Sequence, residues 1–367
     1  MNKQHLDKQK VIVGMSGGVD STVAAYQLKK MGYEVIGVNM RLWQDDFLSE
    51  AHFLKDGGCC SLSSVEDARR VCAQIGIPFY ALDFKTVFKE TVVDYFIEEY
   101  KHGRTPNPCI ACNKFVKFDA LLEKAHQLGA YYVATGHYAK IFYDASVERY
   151  LVEQSNAIQK DQTYAIYNLT QDQLKHILMP LGEFESKEVV RQIASQFDVQ
   201  ISEKSDSQEI CFIPDQDYVG FLKRNSDIQD KKGNFVDLKG NVLGTHLGVV
   251  NFTVGQRKGL GVTFGKPMYV ISLDADRNQV VLGEDDAVFR DTLMADTVNF
   301  IPFDQLEVPY VCEAKIRYSA KPAKCTLYPI SKDEIKVVFD TPQRAITPGQ
   351  AVVFYEGKSL VGGGTIQ

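Results

Sequence analysis

The chain has 367 residues, of which 45% are hydrophobic and 24% charged, and its formal net charge is −6. That mix excludes a chain disordered throughout; the length supports two or three domains without disulfide staples; no run approaches the ~18 apolar residues of a membrane span. Acidic residues (47) exceed basic ones (41), which excludes a uniformly basic nucleic-acid coat but not a local basic face.

The start, MNKQHLDKQK, is charged and runs into VIVGM without the apolar stretch of a signal peptide, so a cytoplasmic address is expected. VIVGM (11–15) reads as a buried strand, 20–31 as a helix closed by Gly32, and 34–43 as a second strand. Residues 63–76 read as a helix with a capping box from Ser63 to Glu66 and a glycine stop. IPFYALDF follows as a strand, 85–101 as a helix, RTPNPC as a loop, 113–128 as a helix and YYVATGHYAKI as a strand. This alternation predicts a parallel, doubly wound sheet. From about 145 to 205 the pattern reads as mostly helical, with ESKEVVRQIASQFDV amphipathic. Beyond about 206, glycine-rich turns separate GVVNFTV, PMYVISLD and QVVLGE. The last eighty or so residues alternate strongly in VCEAKIRY, KCTLYPI, IKVVFD and QAVVFYE, the pattern of a small antiparallel barrel or sandwich.

The sharpest local signal is GMSGGVDS (14–21), between the first strand and the first helix. Gly14, Met15, Ser16, Gly17, Gly18, Val19, Asp20 and Ser21 are the expected nucleotide-binding segment. The glycines permit positive φ and close approach of an anion, the serine hydroxyls donate to phosphate, and the helix end adds free N–H groups and its dipole. Asp20 is expected to cap the helix and to help hold a metal near the phosphates. Met40, Gly136 and His137 end later strands, where parallel sheets bind ligands. The loop is not a Walker A motif, since no GK[ST] follows the glycines. It resembles the PP-loop of ATP pyrophosphatases, which cleave between the α- and β-phosphates; a plain glycine turn is the alternative.

Eight cysteines stand at 59, 60, 72, 109, 112, 211, 312 and 325. Cys72, Cys312 and Cys325 sit within helix or strand patterns and suit buried structural thiols. Cys59, Cys60, Cys109 and Cys112 admit a metal or iron–sulfur reading, although only one C-x-x-C is present. The third reading is thiol chemistry: Cys109 and Cys112 lie at or near a helix start, where the dipole favours thiolate, and Cys211 in SDSQEICFIPD stands where a strand would enter a core.

Taken in order, GMSGGVDS, GRTPNPCIACN, ATGHYA, KDQTYAIYNL, SDSQEICFI, VGQRKGLG, KIRYS and TPGQAVVFY resemble the bacterial tRNA-specific 2-thiouridylase family over nearly the whole chain. The resemblance implies a PP-loop α/β domain over 1–205, a small β-rich central domain over 206–288 and a C-terminal β-barrel over 289–367. It implies ATP and Mg²⁺ as cofactors, and as partners the tRNAs for glutamate, glutamine and lysine, with a cysteine desulfurase or sulfur-relay protein as donor. Cys112 matches the attacking thiol and Cys211 the persulfide carrier. Cys109 stands where some members carry Asp, which leaves it as an acid/base or resolving thiol. Asn107, Pro108 and Cys109 match the segment that meets the target base; His137, Lys160, Asp161, Gln162, Arg317, Tyr318 and Gln350 match segments that touch tRNA. Arg257 and Lys258, with Lys315, Lys321 and Lys324, are candidates for the basic face. Two rival readings are another PP-loop AMP-forming synthetase, and a non-enzymatic nucleotide-dependent tRNA-binding protein.

Overall fold

A computed structural model describes residues 6–43, 62–197, 202, 210–263 and 265–367; Cys59, Cys60 and the whole of SDSQE lie outside them. The chain divides into two compact units: Met1–Val93 with Cys109–Asp217 and Lys358–Leu360, and Asp94–Pro108 with Tyr218–Gly357 and Val361–Gln367. Among the described residues, no helix is long and apolar enough to cross a membrane.

The first unit is built on a five-stranded sheet. Its strands are β1 (Asp7–Gly14), β2 (Glu34–Arg41), β3 (Phe79–Asp83), β4 (Ala130–Ala134) and β7 (Ile177–Leu178), in the order β3-β2-β1-β4-β7, all pairs parallel. Val11, Ile12 and Val13 have no exposed surface, as expected of a central parallel strand covered on both faces. Each contributes about 1.5–3 kcal/mol by burial. Helices α1 (Val19–Lys30), α2 (Leu62–Ile75) and α6 (Lys187–Ala194) share one core with Val11, Val13 and Met15. Between α2 and α6 come α3 (85–93) and, at 108–127, α5; the chain passes through α4 (Asp94–Lys101) between them. Cys72 on α2 fits into the space left by Gly37, where a Cβ would lie 2.6 Å from its Sγ. Burial pushes this thiol up to about 12, so it is a packing residue and not a reactive one.

The sequence reading needs correction at five places in these elements. The expected strand over 131–141 is two strands: β4 ends at Ala134, and β5 (Ala139–Asp144) pairs antiparallel with β6 (Arg149–Gln154) in a different sheet. The region after 145 is therefore not mostly helical. α2 begins at Leu62, so Ser63 stands inside the helix and not at the N-cap position that the expected capping box requires. GVVNFTV is not a strand but a single 3₁₀ turn at Val249–Asn251. Cys211 lies in a turn, and the core is entered by Phe212 and Ile213 after it.

The second unit holds a four-stranded sheet and a closed barrel. The sheet runs β10 (Tyr269–Asp274), β11 (Gln279–Gly283), β8 (Gly233–Val236), β9 (Val242–His246), around Phe235, Phe252, Val270, Val280 and Leu282. The helix α7 (Tyr218–Asn225) precedes it. The barrel strands are β12 (Phe289–Phe300), β13 (Tyr310–Lys315), β14 (Ala323–Pro329), β15 (Ile335–Arg344), β16 (Ala351–Glu356) and β17 (Ser359–Ile366). They run β12-β15-β14-β13-β16-β17, and β12 pairs with β17 to close the ring. Closure removes the exposed edges that an open sheet of this length would carry. Cys312 and Cys325 face each other across β13 and β14 inside the barrel core, with sulfurs 3.8 Å apart, and are buried thiols as the strand pattern implied.

Candidate active site

The loop after β1 is shaped by its own hydrogen bonds. Met15 N–H donates to Val38 O at 2.8 Å, and Asn39 Nδ2 donates to Met15 O at 2.8 Å, so the chain stays sheet-like one residue past β1. It then turns at Gly17, where φ is +72° and a Cβ would lie 2.4 Å from Ser64 O; only glycine fits. Gly18 is the N-cap of α1 and no side chain caps it, which leaves the first N–H groups of α1 available to an anion. Ser21 Oγ donates to Gly18 O at 3.2 Å, and Ser16 N–H donates to Ser21 Oγ at 3.3 Å. Ser21 is buried and holds the loop, whereas Ser16 is exposed at its tip. Met15 and Val19 are core side chains, so of the expected segment they can offer a nucleotide only backbone. Met40 is half-buried, with its methyl 3.4 Å from where a Cβ on Gly14 would lie.

Asp20 departs from its expected roles. It lies in the first turn of α1 and caps nothing. Its two carboxylate oxygens each accept from Lys187 Nζ at 2.6 Å, and Oδ1 also accepts from Tyr138 Oη at 2.8 Å. The Lys187 side chain is 6% exposed and that of Asp20 33%. A divalent cation would have to displace that ammonium, so Asp20 does not fit a metal-ligand role, and among the described residues no group of three or more His, Cys, Asp or Glu could hold a metal ion. Lys187 escaped the sequence reading because a charged residue at a helix start reads as solvated; the signal available was only that a buried lysine needs an anion. Gly136 sits against the same helix end: a Cβ there would lie 2.7 Å from Asp20 Cβ and 2.8 Å from Ser21 N.

Three residues expected on an RNA-facing surface are turned inward. His137 is 7% exposed, its Nδ1 is 2.7 Å from Thr135 Oγ1, and its ring packs on Phe118. Burial, with the Lys117 charge adding to it, holds the imidazole well below its ordinary range, so it is neutral near pH 7. Asp161 accepts from Ser155 N–H at 3.2 Å and Thr163 Oγ1 at 2.6 Å; Gln162 Oε1 accepts from Tyr138 N–H at 3.0 Å. Short polar side chains in a loop are readily consumed by neighbouring backbone, which removes them from a partner's reach. Lys160 is half-buried.

Pro108 opens α5, a position where its missing N–H costs nothing. Cys109 is then exposed and Cys112 is buried at 7%. Both lie inside the helix rather than before it, since α5 begins five residues earlier than expected. Asn113 Nδ2 donates to Ala165 O at 2.9 Å, and its Oδ1 is a buried acceptor without a partner. Cys211 is half-buried; the Phe212 ring beside it packs 5.6 Å from that of Phe88 on α3, and α3 packs against the segment of α5 that starts at Cys112. Cys112 and Cys211 thus belong to one compact unit.

In the second unit, Arg257, Lys258, Arg317 and Tyr318 are exposed. Gln350 is instead engaged with the loop before α5: its Nε2 donates to Thr105 O at 2.7 Å, and Thr105 N–H donates to Pro348 O at 2.8 Å. Gly349, at φ +87°, brings the turn so close that a Cβ would lie 2.9 Å from Thr105 N. Arg104 in the same loop is held by both oxygens of the buried Glu99. Asn107 is half-buried and Pro108 buried.

Residues 9–215 match the family described as tRNA methyl transferase HUP domain, residues 220–284 the tRNA methyl transferase PRC-barrel domain, and residues 290–366 the aminomethyltransferase beta-barrel domain. The tRNA-specific 2-thiouridylase MnmA of Clostridioides difficile is 57% identical to the chain over 359 residues, which is 98% of each. The protein of the same name from Acetivibrio thermocellus is 56% identical over 99% of this chain and 100% of its own length. That of Clostridium acetobutylicum is 56% identical over 98% and 99%.

Proposed function

Since the chain belongs to the family of tRNA-specific 2-thiouridylases, we propose that it replaces the C2 oxygen of the wobble uridine by sulfur in the tRNAs for glutamate, glutamine and lysine. It is a sulfurtransferase that uses ATP. The observation that carries the reading is the uncapped glycine loop at the carboxyl end of β1, in one compact unit with Cys112 and Cys211.

A ring carbonyl oxygen is a poor leaving group and must first be activated. The uridine O2 attacks the α-phosphorus of ATP; the bond to the β-phosphate bridging oxygen breaks, pyrophosphate leaves with its electron pair, and the N3 proton is lost. Donors aimed at the developing charge lower this barrier, and the free N–H groups of α1 with the Ser16 hydroxyl are the chain's own. Mg²⁺ carried on the nucleotide would supply charge neutralisation on its phosphates, and no side chain of the described site is assigned to hold it. Lys187, through Asp20, keeps the loop end fixed. The terminal sulfur of a Cys211 persulfide then attacks C2, and AMP leaves with the C2–O pair. The Cys112 thiolate attacks the Cys211 sulfur, the S–S bond breaks, its electrons stay with the sulfur on the base, and a Cys112–Cys211 disulfide forms, which an external thiol reductant reopens. Cys109 is the acid/base or resolving thiol of this scheme. The base must leave the anticodon stack to be reached, and loop bases are the usual targets of such RNA enzymes.

The persulfide comes from a cysteine desulfurase or sulfur-relay protein, the setting is the cytoplasm, and the working division is 1–205, 206–288 and 289–367. The test is in vitro: protein, Mg-ATP, a cysteine desulfurase with cysteine as persulfide donor, a thiol reductant and unmodified tRNA, with 2-thiouridine read by mass. Wild type is expected to form it with stoichiometric AMP and pyrophosphate, and Cys112→Ser and Cys211→Ser are each expected to abolish sulfur transfer. Product formed at wild-type rate by both variants refutes the scheme.

A further inference from the structure

Among the described residues, one thiol stands apart by its exposure. Cys72, Cys112, Cys312 and Cys325 are buried and Cys211 is half-buried, whereas Cys109 is open to solvent in the first turn of α5. It follows Pro108, which opens the helix, and precedes Cys112 by three residues. That turn is regularly wound: Pro108–Ala111 is α-helical, and Ala111 has φ −60° and ψ −44°. Three residues of such a helix rise about 4.5 Å and stop about 60° short of a full turn, so their Cα atoms lie about 5 Å apart. That is inside the span of about 4.4–6.8 Å that a disulfide bridges.

The buried member of the pair is held in place. Asn113, 2% exposed, donates from Nδ2 to Ala165 O at 2.9 Å, and Val116 and Phe118 on the same helix have no exposed surface. The helix is anchored on its inner side and cannot turn Cys112 outward. Cys211 stands in a turn beside Phe212, whose buried ring lies 5.6 Å from that of Phe88. These positions matter at the end of the reaction. Sulfur transfer leaves a Cys112–Cys211 disulfide, and exchange requires an attacking thiolate to reach one of the two sulfurs. One of them is buried and the other half-buried, so a bulky reductant meets neither well. Cys109 stands one helical turn from Cys112, at a helix start, a position that favours the thiolate form.

We propose that Cys109 and Cys112 form a relay that carries the disulfide out of the site, and that the partner it serves is a dithiol reductant docking at the start of α5. The proposal rests on the reading of the chain as a thiouridylase whose turnover ends in the Cys112–Cys211 bond. It gives Cys109 the resolving role and not the acid/base one. Cys109 gives its thiol proton to water, and its sulfur attacks Cys112 Sγ. The Cys109–Cys112 bond forms, the Cys112–Cys211 bond breaks, and Cys211 leaves as thiolate with the electron pair, ready to be loaded again. One thiolate of the dithiol then attacks Cys109 Sγ, and Cys112 leaves with the pair. The second thiol of the reductant closes the reductant's own disulfide and releases Cys109. The dithiol thus supplies the two electrons and two protons of the cycle.

The test uses the full chain, loaded with persulfide by a cysteine desulfurase and then kept free of donor, air and reductant. It is mixed with Mg-ATP and unmodified tRNA and quenched with N-ethylmaleimide. Disulfides are mapped by peptide mass for wild type, Cys109→Ser and Cys109→Asp, with thermal melting as a check on folding. Wild type should end with one Cys109–Cys112 disulfide per thiolated base and with Cys211 alkylated, whereas both variants should end with Cys112 joined to Cys211. Thioredoxin should reopen the disulfide of the variants on the order of tenfold more slowly than that of wild type, and the small dithiol dithiothreitol should show a lesser difference. A wild type that thiolates the base and ends with no disulfide, or with Cys112–Cys211 joined and Cys109 alkylated, overturns the relay alone. So does thioredoxin reopening all three proteins at one rate. Turnover restored by Cys109→Asp but not by Cys109→Ser returns Cys109 to acid/base work. If the variants do not fold, the wild-type map decides. A wild type that forms neither 2-thiouridine nor a disulfide overturns the functional reading itself.

Discussion

Removing either partner of the Asp20–Lys187 pair breaks the same contact, yet the two changes should differ in cost, because they leave different charges behind. Lys187 is 6% exposed and Asp20 33%. Asp20→Ala leaves a buried ammonium without its carboxylate, the situation that costs about 3–5 kcal/mol. Lys187→Met keeps the apolar stem packed and leaves a carboxylate that water and Tyr138 Oη still reach, a loss of about 1–2 kcal/mol, the size of a charged hydrogen bond. At roughly 2–4 °C per kcal/mol for a unit of this size, melting should fall on the order of 10 °C for Asp20→Ala and about 4 °C for Lys187→Met. The double variant removes both charges and should melt near Lys187→Met, well above the additive expectation. Differential scanning calorimetry of the four proteins without nucleotide measures this. Equal costs, a reversed order or strict additivity would refute the claim that the pair is a buried ammonium neutralised at the start of α1.

Gly136→Ala should displace the start of α1, since its Cβ would enter within 2.7 Å of Asp20; the expected cost is about 1–3 kcal/mol with a weakened KM for ATP, checked by melting and by tRNA-dependent pyrophosphate release. His137 makes the first unit acid-sensitive. Its folded-state pKa is depressed, so below about 6.5 the unfolded chain binds a proton that the folded chain refuses, and stability falls by about 1.4 kcal/mol per pH unit until the folded pKa is reached. His137→Gln should flatten the stability profile between pH 6.5 and 5 relative to wild type in urea melts; an unchanged slope there contradicts the assignment. Gln350→Ala removes the bond to Thr105 O, worth about 1 kcal/mol, and should raise amide exchange across 104–107. A variant with altered tRNA affinity but unchanged exchange would return Gln350 to a role of RNA contact alone.

The sequence by itself determined the glycine turn after β1 and most of the parallel sheet. SGGVDS is legible because glycine is demanded locally, by a positive φ at Gly17 that no other residue adopts cheaply. The run VIV is legible because a strand covered on both faces must be apolar throughout. The strong alternation in β13, β14 and β15 announced barrel strands, since successive side chains face core and solvent in turn, whereas β16, expected to alternate, is buried from Ala351 to Tyr355. Tertiary structure decided what each polar side chain does. Asp20 looks like a cap in sequence; Lys187, 167 residues away, makes it half of an ion pair. His137, Asp161 and Gln162 look available to a partner, but neighbouring backbone and burial consume them. YYVATGHYAKI reads as one strand, but the chain leaves the parallel sheet at Ala134 and enters another sheet at Ala139. Periodicity and backbone conformation are set by near neighbours and so are written locally, whereas the partner of a charge is chosen by the three-dimensional pairing of segments that the linear order leaves far apart.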